Sequence, residues 1–169
     1  MVVFLANRKN LQSKRLHDRI QNRLSSEFDN VRRRRSEPRE AGPYRVVGEV
    51  NPRQHLGDGN YPATVARIEI GFQLQTGDPY EYYWFNWIEP EQNLLVGWHQ
   101  DDTHDGLGPV HLQVNDGSMA VTHQPAQFVD SHPLDVVAHR LAALPDAVSA
   151  VEWENGHPAG LDSSVPVTK

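Results

Sequence analysis

The sequence predicts an α+β domain: a curved antiparallel sheet of four to six strands, with an N-terminal helix and a short C-terminal helix packed on it. Three observations carry this. Leu16, Ile20, Leu24 and Phe28 recur at every fourth position, the spacing of a helix with one buried face. Ala66, Ile68, Ile70, Phe72 and Leu74 alternate with Val65, Arg67, Glu69, Gly71 and Gln73, the period of a strand with one apolar and one largely wet face. Leu134, Val137, Ala138, Leu141 and Leu144 return to helical spacing. Strands grouped between helices give a segregated α+β arrangement.

In chain order, the first helix is expected over Leu11–Val31. Arg15, Arg19 and Arg23 run beside its apolar stripe at spacing four, and like charges so placed repel unless an anion faces them. RRRRSEPREAGPY (32–44) contains Pro38, Gly42 and Pro43 and reads as a linker. A short strand fits Arg45–Val50, with a polar turn around Gly57-Asp58-Gly59. After the alternating strand at 65–74, Thr76-Gly77-Asp78-Pro79 reads as a turn. EYYWFNWI (81–88) is apolar on both faces, as a central strand is. Tyr82, Tyr83, Trp84, Phe85 and Trp87 could stack bases, as in single-strand binders, but core packing is the favoured reading at strand spacing, because aromatic rings dominate buried area. Pro90 to Asn93 turns the chain into LLVGW (94–98), and PVHLQV (109–114) alternates again. Ser131 is the expected cap of the last helix, Pro133 and Asp135 suit its first turn, and Pro145 is expected to end it. Ala147–Trp153 fits a last strand.

Bulk properties narrow the function. The chain has 169 residues, no cysteine and a net charge of −6, and its mean hydropathy is −0.62. Disulfides, thiolate metal sites and a cysteine nucleophile are excluded. No apolar run approaches a membrane span, and the basic residues of MVVFLANRK follow its apolar run, the reverse of a secretory leader. A cytoplasmic protein without membrane contact is expected. Residues 1–45 hold twelve Lys/Arg against five Asp/Glu, whereas 46–169 hold four against seventeen. This asymmetry predicts a basic helix-and-linker arm (1–45), an acidic core domain (46–153) and a disordered tail (154–169). The arm would meet nucleic acid or an acidic partner, or fold back on its own acidic body. A copy of the apolar stripe is a further candidate partner, giving a homodimer through the N-terminal helix.

The densest chemistry lies in GWHQDDTHDGLGPVHLQV (97–114), with three histidines and three aspartates. Val110, Leu112 and Val114 claim the core face of their strand, so His111 and Gln113 point the other way, to solvent or a cleft. A hairpin from 94–99 to 109–114 brings His99 close to His111, with His104 on the loop between. Paired imidazoles act as general base and acid, the pairing that cleaves an RNA phosphodiester. Asp101 would orient one ring. Arg32, Arg33, Arg34 and Arg35 are candidates for the phosphate charge, and Trp98 for walling the pocket or stacking a base. Neutral histidine with aspartate also suits zinc, manganese or iron. The spacing matches no metal signature, so no metal or other cofactor is assigned, and a purely structural polar hairpin stays open. His17 is expected on a solvated helix face, His139 at a helix edge, and His55, His123, His132 and His157 in loops or near termini without a role.

Across 65–144 the order of motifs resembles the TumE-like family of prokaryotic toxins, encoded beside a DNA-binding antitoxin. The family pattern is a Tyr-rich strand, an R-W-D-N-x-P-H-H-like stretch, then P-H-H-x-H and a short helix. Here EYYWFNW (81–87) matches the first. Trp98, Asp101 and His104 match the second, Pro109 and His111 the third, and DSHPLDVVAHRL (130–141) the helix. Gly97 stands in place of arginine, Thr103 in place of proline, and Val110 and Gln113 in place of histidines. The resemblance implies a toxin that cleaves RNA and is neutralised by a DNA-binding antitoxin; the residues themselves suggest a metal-independent reaction through His104 and His111, with Asp101 orienting one ring and His99 in reserve. Arg15, Arg19, Arg23, Arg32–Arg35 and Trp98 would hold RNA. A diverged, inactive homologue, or a binding protein using only the basic arm, are the alternatives.

Overall fold

The computed structural model describes residues 2–36, 43–74, 82–129 and 131–164, with side chains from residue 11 onward. The turn expected at 76–79 and Pro38 and Gly42 of the expected linker lie outside the described residues. The chain is α+β. Helix α1 (Val2–Leu24) precedes strands β1 (Asp29–Arg35) and β2 (Tyr44–Val50) and a short helix α2 (Pro52–Leu56). Then come β3 (Ala66–Gln73), β4 (Tyr82–Glu89), β5 (Leu94–Gln100), β6 (Val110–Asp116) and β7 (Met119–Pro125). Helix α3 (Pro133–Ser149) and a hairpin of β8 (Val151–Glu154) and β9 (His157–Leu161) complete the chain.

Strands β1 to β7 form one seven-stranded antiparallel sheet in sequential order, one more than the largest count expected. The aromatic strand β4 lies at its centre, as its two-sided apolarity requires. One sheet face carries Val46, Ile68, Ile70, Phe72, Phe85, Trp87, Val96, Trp98, Leu112 and Val114, all buried. Leu16, Ile20, Leu24 and Phe28 join the same cluster, as do Val136, Val137, Leu141 and Leu144 of α3. The apolar stripe of α1 is thus covered by the chain's own sheet and is not a face for a second copy. Among the described residues, no helix is long and apolar enough to cross a membrane.

Several sequence expectations are corrected here. Arg32–Arg35 are not linker but the end of edge strand β1, paired with Tyr44–Val47 of β2. Helix and strand pack into the common core instead of forming an arm, because the β2–β3 end of the sheet needs an apolar cover. Helix α3 is capped by His132, whose side chain accepts from Leu134 N, while Ser131 Oγ donates to Asp135 at 2.9 Å. Pro145 does not end α3, which continues to Ser149. The missing N–H removes one hydrogen bond, but Leu144, Ala147 and Val148 remain buried against the core. The last strand therefore starts at Val151, and residues 157–161 of the expected tail form β9. Asn155 and Gly156 make the turn with φ of 52° and 81°, the pair of left-handed residues that a two-residue hairpin requires.

His17 is fully buried rather than solvated. Its Nδ1 donates to the Ser13 carbonyl at 2.7 Å, and its Nε2 accepts from Phe72 N–H at 3.2 Å. Only the neutral ring fits both bonds, since a second proton would face the Phe72 donor. Burial holds its pKa below the ordinary 6.5, outweighing the Ser13 bond that works upward. With the folded value depressed, the unfolded chain binds the extra proton first. Stability is therefore complete above about pH 6.5 and falls as pH drops below it toward the folded value. The urea midpoint is expected to be lower at about pH 5 than at about pH 7.5. His17→Gln should flatten this profile in part, because His55, His99, His111 and His123 are depressed in the same direction. A midpoint independent of pH across that range would contradict the assignment.

Candidate histidine site on the open sheet face

The face turned away from α1 and α3 is polar, and cross-strand register decides what meets on it. Gly71, Trp84, His99 and His111 stand in one row across β3 to β6. Glu69, Asn86, Gly97, Gln113 and His123 form the adjacent row, extended by Val47 on β2. Two glycines let neighbouring side chains lie down across the sheet. A Cβ on Gly71 would fall 2.1 Å from the Trp84 ring, and one on Gly97 would fall 2.1 Å from Asn86 Oδ1. Gly97 thereby leaves room for Asn86 Oδ1 to accept from His99 Nε2 at 2.7 Å.

Four histidines converge. His99 and His111 are directly opposite on β5 and β6, with ring centroids 5.5 Å apart. His104, on the loop between those strands, lies 4.6 Å from the His111 ring and 4.2 Å from that of His123. His111 and His123 are 5.3 Å apart. His111 is 1% exposed, so it is no free imidazole on a strand: the other rings and the 101–104 loop cover it. His104 and His123 are half-buried. Asp101 Oδ1 lies 3.8 Å from His111 Nδ1 and accepts from Thr103 N at 3.1 Å and Thr103 Oγ1 at 2.8 Å.

The electrostatics follow from that packing. Burial pushes His99 down to about 4, and a charge on His111 would add to this, against the pull of Asp101. Burial likewise lowers His111, with Asp101 opposing, and lowers His123, which His104 pushes further down. Burial would raise Asp101, but the two Thr103 hydrogen bonds hold it below the ordinary carboxylate range. At neutral pH, then, three of the rings are neutral beside one carboxylate. Neutral imidazoles are bases and metal ligands before they are acids. The nitrogen donors of His104, His111 and His123 lie within 4.8 Å of one another, as do donors from His99, Asp101 and His111.

A cavity of 520 Å³ opens beside the cluster, lined by Trp84, Asn86, His99, Asp101 and Glu69 among others. Along the same face, a groove of 470 Å³ is lined by Arg32, Arg34, Arg45, Arg67, Glu49 and Glu69. The two meet at Glu69, which takes an ion pair from Arg67 at 2.9 Å. Arg34 and Arg45 are directly opposite across β1 and β2. Like charges so placed repel, and Glu69, 4.0 Å from Arg45, offsets the pair from one side.

The sequence candidates divide accordingly. His99, Asp101, His104 and His111 are brought together, and Arg32 and Arg34 border the groove. Arg33 is not part of it. Its Nε pairs with Asp18 at 2.6 Å, its backbone N donates to Gln21, and its guanidinium lies over Tyr44 on the helix side. By strand alternation Arg35 shares that side. Arg23 pairs with Glu27, and exposed Arg15 and Arg19 belong to α1, behind the sheet. Trp98 is also corrected: it is completely buried on the core face, under Arg140, and lines neither the open face nor the cavity. Sequence reasoning passed over Asn86, Arg45 and Arg67, gave His123 no role, and favoured the core for Trp84, which instead stands on the open face in the row of Gly71 and His99. The turn after Asp116 alone would not have found His123, because a regular hairpin sets Thr122 opposite Gln113, and only the register shift between Val114 and Asn115 brings His123 there. The chain matches no protein-family model, no curated protein and no solved structure.

Proposed function

We propose that the open sheet face binds and cleaves RNA, with the histidine cluster as the reacting centre and the arginine groove holding the phosphate backbone. The observation that carries this is the junction at Glu69: a groove bordered by four arginines runs into a cavity floored by Trp84 and His99. In the cleavage step the 2′-oxygen bonds to phosphorus and the bond to the 5′-oxygen breaks. The cluster takes the 2′ proton and returns one to the departing 5′-oxygen. Trp84, on the open face, takes the base-stacking role first assigned to Trp98. The biological setting that the TumE-like motifs imply, a toxin silenced by a DNA-binding antitoxin, is carried by those motifs alone.

The test uses purified protein, total RNA and short labelled RNAs, with and without divalent ions, beside growth on induced expression. Cleavage and growth arrest are expected. Arg32→Ala with Arg34→Ala should weaken RNA binding and lower its salt slope by roughly 1.4 to 1.8, the loss of about two phosphate contacts. Salt-dependent binding without cleavage would leave a binding protein. No binding and no cleavage under either condition ends the RNA reading.

A further inference from the structure

The geometry points to a divalent transition-metal site, zinc foremost, formed by His104, His111 and His123, with Asp101 as the outer partner of His111. Three imidazole donors already lie within 4.8 Å of one another. Zinc–nitrogen bonds of about 2.0–2.1 Å on a tetrahedron set donors about 3.4 Å apart, so no pair has to close by more than roughly 1.4 Å. The fold allows that movement at one member only. His111 and His123 sit on the neighbouring strands β6 and β7, a fixed frame, while His104 belongs to a loop containing Gly106 and Gly108.

The donors are also uncommitted. His104 and His123 hydrogen-bond to no other described side chain, and His111 has only a long 3.3 Å contact from Nε2 to Gln113 Oε1. The overlapping group of His99, Asp101 and His111 is poorer, since His99 is held by Asn86 and Asp101 by Thr103. Asp101 facing His111 Nδ1 at 3.8 Å suits the carboxylate–histidine–metal arrangement, which fixes the tautomer and leaves Nε2 to the ion. Three imidazoles with no thiolate favour zinc, cobalt or nickel over magnesium or calcium. Three protein ligands leave a fourth position for water or a phosphoryl oxygen, as in catalytic zinc sites. This inference does not depend on RNA being the substrate.

The experiment takes the full chain without an affinity tag, stripped with a chelator, then titrated with Zn²⁺ alone by calorimetry and with Co²⁺ by visible absorption. About one ion per chain is expected, with micromolar or tighter affinity and the intense Co²⁺ bands of a four-coordinate nitrogen–oxygen site. The His104→Ala/His123→Ala double variant should lose at least about 100-fold in affinity while its circular dichroism stays unchanged. His132→Ala, remote from the cluster, should bind as the parent does. No saturable binding below about 1 mM, or equal binding by the double variant, overturns the site. Either outcome leaves the RNA measurements to be judged separately.

Discussion

Arg140→Ala is expected to lower the unfolding temperature by about 10 °C, the consequence of losing roughly 3 kcal/mol in a chain of this length. Arg140 is 1% exposed, and among the described residues no carboxylate pairs with it. Instead, its Nε and Nη2 donate to Tyr83 Oη at 3.1 and 3.0 Å. Nη2 also donates to the Gln127 carbonyl at 2.6 Å, and the guanidinium lies 5.5 Å from the Trp98 ring centre. It thus ties α3 to β4, to β5 and to the segment after β7. Alanine would open a cavity among these elements and strand the Gln127 carbonyl, and each effect alone costs more than a kilocalorie. Burial raises the Tyr83 hydroxyl pKa while Arg140 works against the rise, so removing the cation should raise it further. Arg140→Met keeps the stem packing without the donors and should recover part of the loss. An Arg140→Ala midpoint within about 0.5 kcal/mol of the parent would show that the network carries no weight.

That arginine also marks where the sequence stops being legible. Periodicity reports which positions face inward: it found the α1 stripe, β3, the aromatic centre of the sheet and the core side of β6. It cannot report what a buried polar residue is paired with. Arg140 sits on the inward face of α3 beside Leu141 and Leu144, but its partners come from residues 83 and 127. His17 follows Leu16 on the buried side of α1, and its second ring nitrogen is satisfied only by the long-range contact with Phe72. Composition misled differently at Arg32–Arg35, where four charges read as linker. An edge strand needs just one paired side, and its cations blunt the other.

The candidate site was legible where local alternation sufficed and lost where register was needed. His111 opposite His99 follows from a single hairpin. His123 requires the next hairpin and its irregular step between Val114 and Asn115, which no pattern in residues 119–125 announces. The basic segment divided for the same reason. Successive strand residues point to opposite faces, so Arg32 and Arg34 face the groove while Arg33 faces α1. A charge count over 1–45 cannot separate them.

His104→Ala and His123→Ala should each slow RNA cleavage by about 10³-fold, within the range that removing a proton-transfer group costs. These two rings are half-buried and more exposed than His111, so in the proposed reaction they would meet the phosphate. In that reaction His111, behind them, would act by positioning. His111→Gln should therefore also cost rate, but through a disordered cluster: Asp101 loses the ring it faces, and the His104 and His123 resonances should shift. Trp98→Phe supplies the contrast, because a core tryptophan predicts lower stability with an unchanged rate per folded molecule. Arg32→Ala with Arg34→Ala should raise KM and spare kcat, since the groove binds backbone that does not react. Chelation discriminates between two uses of the same rings. If they hold an ion, chelator reproduces the loss seen in His104→Ala and zinc restores the parent but not the variant. If they exchange protons directly, chelator leaves the rate untouched. Cleavage that survives both histidine substitutions at the parent rate would remove the cluster from the reaction.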